Sequence, residues 1–197
     1  MRVILASKSP RRREILTMLG MHFEVMSADA DEHSDITDPA VLVSELALRK
    51  GRAVRDLLQA RGEWDEDTLI IAADTVVAVD GEILGKPADS ADAARMLRLL
   101  SDSTHEVLSG VALLRGDEER VAAEATGVRF ARMSEDEIAW YVASGEPADK
   151  AGAYAVQGLA SLFIKGLDGD YFNVVGLPVY RLHTLMKEML GVSPSEL

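Results

Sequence analysis

The sequence predicts an α/β protein: a central mixed β-sheet flanked by helices, folded as two lobes about a cleft. Two observations lead there. Apolar runs with strand character are interspersed with amphipathic helical patterns along the whole chain. The alternation is not strict, because residues 68–79 and 82–84 flank Asp80-Gly81, and residues 104–114 and 120–131 flank Gly116-Asp117. Both pairs read as hairpins, and hairpins among crossovers make a sheet mixed rather than all parallel. The 197 residues suffice for one substantial core or two intimate lobes. No repeat, low-complexity run or obvious linker interrupts them, so residues 1–197 are read as a single domain.

The elements follow in order. Val3-Ile4-Leu5 is a short buried strand, and Pro10 opens a helical pattern carrying Ile15, Leu16 and Leu19, with Ser9 as its N-cap. Residues 22–26 alternate as a second strand, and the acidic stretch 27–38 is a loop. Asp38-Pro39 starts a long helix with Val43, Leu46, Ala47, Val54, Leu57 and Leu58 on one face. Residues 68–79 are the strongest strand signal, and 82–84 return across the turn. A helix over 90–100 turns Ala94, Leu97 and Leu100 inward, and the long hairpin 104–131 follows. Ser134 and Glu137 form a capping box ahead of Ile138, Trp140, Tyr141 and Val142. Residues 149–158 and 169–178 are glycine-punctuated, Leu162-Phe163-Ile164 reads as a short strand, and 178–190 as the final helix. Residues 192–197 read as a frayed tail.

Composition excludes several classes of function. The chain has no cysteine, which rules out disulfides and thiolate metal sites and is compatible with the cytosol, the expected location. No apolar run approaches a membrane span, and no secretory leader is recognisable. The net charge of −12 disfavours a broad nucleic-acid surface, and sparse aromatics disfavour a stacking platform. A local basic cluster in an acidic protein still focuses its field on one small anion.

Such a cluster stands at Leu5-Ala6-Ser7-Lys8-Ser9-Pro10-Arg11-Arg12-Arg13. Strand, polar loop and helix N-terminus together present unpaired backbone N–H groups and the positive end of a helix dipole. The arginines add forks matched to phosphate oxygens. The glycines of a Walker loop are absent, and a basic helix face in solvent is the plainer alternative. Asp74 interrupts an almost wholly apolar strand. A buried carboxylate is costly unless paired, hydrogen-bonded or metal-bound. It reads either as a general base or metal ligand, or as a carboxylate satisfied by backbone N–H groups at a strand end. Lys50 in mid-helix and Lys86 in the Gly85-Lys86-Pro87 turn are single cations, weak as isolated signals.

Taken together, 6–12, Ala73-Asp74-Thr75-Val76-Val77 with Gly85-Lys86-Pro87, Asp149-Lys150-Ala151-Gly152-Ala153-Tyr154 to Gln157-Gly158, Gly169-Asp170-Tyr171 and Val175-Gly176-Leu177-Pro178 resemble the Maf family of nucleoside triphosphate pyrophosphatases. The five motifs stand in the family's order across nearly the whole chain. The resemblance implies a fold similar to that of inosine triphosphate pyrophosphatases, often dimeric. It also implies a divalent-metal-dependent cut, with Mg²⁺ or Mn²⁺, between the α and β phosphates of a nucleoside triphosphate. Carried over by position, Ser7, Arg11, Arg12, Lys50 and Lys86 handle phosphates. Glu32 and Asp74 lie at the metal, with Asp74 the catalytic carboxylate. Arg11, Thr75 and Gln157 are linked to base selection. Gln157-Gly158-Leu159-Ala160-Ser161-Leu162-Phe163 resembles the branch acting on dTTP and UTP, as against a sister branch preferring 7-methyl-GTP. Lys8 and Arg13 depart from the family pattern, and Gly51 next to Lys50 weakens its helix locally. The rival from another class is a nucleotide-binding regulator of cell division without turnover. A buried Asp74 argues against it, since anion binding alone gains nothing from a carboxylate unless a metal bridges the two.

Overall fold

The computed structural model describes residues 1–191. Seven strands form one mixed sheet: β1 (Arg2–Leu5), β2 (Glu24–Val25), β3 (Thr68–Val79), β4 (Glu82–Leu84), β5 (Thr104–Arg115), β6 (Glu118–Phe130) and β7 (Ile164–Asp168). Their order is β2-β1-β3-β5-β6-β7, with β4 paired to β3 off that path. The helices are α1 (Pro10–Met18), α2 (Pro39–Arg61), α3 (Ser90–Leu100), α4 (Glu135–Ala143), α5 (Tyr171–Val175) and α6 (Val179–Leu190). The chain divides into two compact units, one of residues 1–74, 109–124 and 176 onward, the other of residues 75–108 and 125–175.

In the first unit β1 runs parallel to both β2 and β3, with Ile4 opposite Glu24 on one side and Ile70 on the other. Burial on both faces explains why Val3, Ile4 and Leu5 are all apolar. Helix α2 starts where Asp38 accepts from the Ala40 and Val41 N–H groups and Pro39 takes the first turn, and it ends at Gly62 in left-handed conformation. Its buried face is Val43, Leu46, Ala47, Gly51, Val54 and Leu58. Ala47, Val54 and Leu58 pack with Ile4, Ile70, Ala72, Ala112 and Leu114. Gly51 has a packing role rather than a merely weakening one, because a Cβ there would lie 2.5 Å from Leu114 Cδ1. Gly110 is tighter still, its would-be Cβ 2.2 Å from the Val43 carbonyl oxygen.

In the second unit the end of β3 returns into antiparallel β4 through Asp80 and Gly81, both with positive φ, the conformation of a two-residue hairpin turn. Antiparallel β7 pairs with β6. The core gathers Leu97, Leu100, Phe130, Tyr141, Tyr154 and Phe163. His105, Phe130 and Tyr154 meet edge to face, with centroids 4.9–5.4 Å apart. The capping box of α4 forms in full, Ser134 and Glu137 each accepting from the other's backbone N–H.

Some elements differ from the sequence reading. The second strand shrinks to Glu24–Val25. Ala94 packs against the core as read, partly buried, and Ala93 beside it is buried as well. Leu162 and Phe163 belong to a short 3-10 turn, Leu159–Phe163, and the strand starts only at Ile164. Pro178 is the N-cap of the final helix rather than its first residue. The reading of 192–197 as a tail lies outside the described residues.

Candidate active site

The loop from β1 into α1 is built on hydroxyls. The Ser9 side chain caps α1 by accepting from the Arg12 N–H, and Ser7 Oγ accepts from the Ser9 N–H at 3.2 Å. Pro10 supplies the first turn with a fixed φ and no unused donor. This turn directs Arg12 inward. Its Nε donates to the Gly176 carbonyl at 2.8 Å and another guanidinium nitrogen donates to Ser7 Oγ at 3.2 Å. Arg12 is only 9% exposed. Burial lowers its pKa, as does the like charge of Arg11, while the charges of Asp74 and Glu32 hold it up.

Asp74 sits on β3 and is 8% exposed. Its carboxylate is hydrogen-bonded by Lys50 Nζ, which α2 delivers across the apolar contact that Gly51 permits. The same ammonium lies 3.1 Å from Glu32, whose side chain is mostly exposed. The first unit thus brings Ser7, Arg11, Arg12, Glu32, Lys50 and Asp74 into one electrostatically coupled cluster. The hydrogen-bond partner that the structure gives the Asp74 carboxylate is the side-chain cation of Lys50, where the structural reading expected strand-end backbone N–H groups.

The remaining predicted residues belong to the second unit. Thr75 follows Asp74 along β3 and is half-buried. Lys86 is exposed in the turn after β4. Gln157 is exposed in a turn between two 3-10 segments. Gly176 enters the sequence reading only as part of the Val175-Gly176-Leu177-Pro178 motif, with no role of its own; its carbonyl meets Arg12 across 164 positions of sequence.

The donor set suits a hard cation. No group of three or more His, Asp or Glu residues gathers among the described residues. Two carboxylates, Glu32 and Asp74, do converge on a single positive charge, that of Lys50. Mg²⁺ is commonly held by one or two carboxylates, with water and substrate phosphate completing the shell, so these residues fit it. No helix among the described residues is long and apolar enough to cross a membrane.

Comparison with known proteins gives a consistent result. A protein named dTTP/UTP pyrophosphatase from Symbiobacterium thermophilum is 54% identical over 91% of this chain and 89% of its own length. One of the same name from Pelotomaculum thermopropionicum is 50% identical over 94% and 95%, and one from Bacillus cereus is 43% identical over 95% of both. The solved Staphylococcus aureus Ham1 protein matches with a TM-score of 0.48 at 15% identity, over 66% of this chain and 72% of its own. The family model described as Maf-like protein matches residues 2–189, and with it the clustered motifs around Arg12 and Asp74 find their place: the chain belongs to the Maf-like family.

Proposed function

We propose that this protein hydrolyses dTTP and UTP to the nucleoside monophosphate and pyrophosphate. The carrying observation is the buried pairing of Asp74 with Lys50, beside Glu32 and Arg12, in a chain whose relatives are named dTTP/UTP pyrophosphatases. A triphosphate repels a nucleophile, so the site must offset negative charge before attack. Arg11, Arg12, Lys50 and the hydroxyl of Ser7 do this from the first unit, and Lys86 is assigned the same role by its motif. Asp74 holds a water and takes its proton as that water attacks phosphorus, while the cations stabilise the departing pyrophosphate. Lys50, hydrogen-bonded to Asp74, orients that carboxylate. Glu32 and Asp74 would hold Mg²⁺ or Mn²⁺, which supplies further charge neutralisation on the phosphate oxygens when bound. Arg11, Thr75 and Gln157 select the base. The reading takes residues 1–197 as one catalytic domain, cytoplasmic and homodimeric, acting on free surplus or non-canonical nucleotide rather than on nucleic acid or membrane.

The test is product analysis with dTTP, UTP, dCTP and 7-methyl-GTP in the presence of Mg²⁺. Pyrophosphate and monophosphate from dTTP and UTP are expected. Orthophosphate with a diphosphate would place the cut at the wrong bond. A preference for 7-methyl-GTP would overturn the branch, and binding without turnover would favour the regulator. Asp74→Asn should lower kcat by roughly 10²–10⁴ while nucleotide affinity and melting temperature hold. Near-normal kcat in that variant would remove Asp74 as the base.

A further inference from the structure

Gln157 stands in a turn whose two flanks are tied to the same pair of side chains. On the upstream side the Ala155 N–H donates to the Tyr141 hydroxyl at 3.3 Å. On the downstream side the Leu159 and Ala160 N–H groups donate to the Glu146 carboxylate at 3.0 and 3.4 Å. Tyr141 then donates its own O–H to Glu146 Oε1 at 2.7 Å and closes the bracket. The pair is anchored in its turn. Tyr141 is fully buried on α4, and the Glu146 N–H donates to Ser144 Oγ at 3.2 Å. Burial and the Glu146 charge push the Tyr141 phenol upward, so it stays protonated and remains the donor.

The local sequence leaves a gap that Glu146 fills. Gly158 is the N-cap of the 3-10 turn Leu159–Phe163 and has no side chain with which to cap it. The orphan N–H groups of that turn are met instead by a carboxylate from an earlier segment. A Cβ on residue 158 would lie 2.3 Å from Glu146 Oε2, so glycine at that position makes the room.

The geometry points to Glu146 and Tyr141 as a positioning pair that fixes the Gln157 turn and thereby sets discrimination between bases. This rests on the reading above that Gln157 contacts the base. A glutamine amide carries donor and acceptor side by side and pairs with several base edges if its backbone drifts. Selectivity therefore depends on how firmly the turn is held, since a displacement of about 1 Å suffices to lose a specific contact. Glu146→Gln keeps shape but turns one acceptor into a donor, which then faces one of three converging donors. Tyr141→Phe keeps the ring and removes the link between the two flanks.

The test compares kcat and KM for dTTP and dCTP in the full-length wild type, Gln157→Ala, Glu146→Gln, Tyr141→Phe and the double variant Glu146→Gln/Gln157→Ala. Melting temperatures are read alongside. Glu146→Gln and Tyr141→Phe should each lower the dTTP-over-dCTP ratio of kcat/KM roughly 10- to 100-fold, through a higher KM for dTTP with kcat retained. The double variant should lose no more than Gln157→Ala alone. Wild-type selectivity in the folded single variants, or additive losses in the double, would overturn the proposal. Unchanged selectivity in Gln157→Ala would instead fail the base-contact reading and take the proposal with it. No turnover in the wild type would fail the proposed function before any variant is compared. Should Glu146→Gln not fold, Tyr141→Phe and its double with Gln157→Ala decide the matter on the same terms.

Discussion

Arg12 carries a full charge at a place where water scarcely reaches, and its hydrogen bonds make that tenable. Nε is committed to the Gly176 carbonyl and a second nitrogen to Ser7 Oγ. A planar fork can hold two acceptors in fixed directions, whereas a lysine ammonium is a point charge on a flexible stem. Arg12→Lys should therefore keep charge for a phosphate yet lower stability by about 1–3 kcal/mol, through a buried acceptor left unmet. Arg13, one position on and exposed, offers the control: Arg13→Ala should stay within about 0.5 kcal/mol of wild type. Chemical denaturation of the two variants checks both, and equal denaturation midpoints for Arg12→Lys and wild type would show that the Gly176 contact holds nothing together.

At the scale of elements, close approach decides what the sequence must be. Gly110 on β5 faces the Val43 backbone of α2, and no rotamer change relieves a clash with backbone. Gly110→Ala should cost about 1–3 kcal/mol or more, read as a lower urea midpoint at unchanged slope. Helix α2 was legible because its Asp38-Pro39 start and apolar period are local signals. So were the Asp80-Gly81 hairpin turn and the capping box. The 3-10 turn Leu159–Phe163 was not, because its apolar run looks like a strand and its cap comes from Glu146. The same distinction runs through the candidate site. Asp74 announced itself as a charge in an apolar run, while Lys50, an unremarkable helical lysine by local pattern, was marked only by the family resemblance until the strand it reaches is seen. Glu32 is one acid among many in its loop, and apart from the family resemblance only the ammonium beside it distinguishes it.

For the molecule as a whole, stability should fall in mild acid partly through one side chain. His105 is buried with Nε2 2.8 Å from the Tyr154 hydroxyl, and burial pushes its pKa from 6.5 down to about 4. Between those values the unfolded chain takes up a proton that the folded one refuses, so stability is lost as pH falls through this window and the loss levels off below about pH 4. Going from pH 7.5 to 5.0, wild type should lose about 2 kcal/mol more than His105→Gln, which cannot titrate. Urea titrations at the two pH values measure the difference, and parallel losses would show that His105 does not set the slope. The route of the chain has a further consequence, in time. The chain leaves the first unit after Asp74, returns at Ser109, leaves again after Glu124 and returns at Gly176. A ribosome adding roughly 5–20 residues per second finishes the second unit before it has made the last segment of the first. The carbonyl that Arg12 awaits is synthesised 164 residues after it. A chain that stalls or is cut before Gly176 therefore ends with Arg12 lacking that acceptor, however well the rest has folded, so this buried contact is among the last that its synthesis provides.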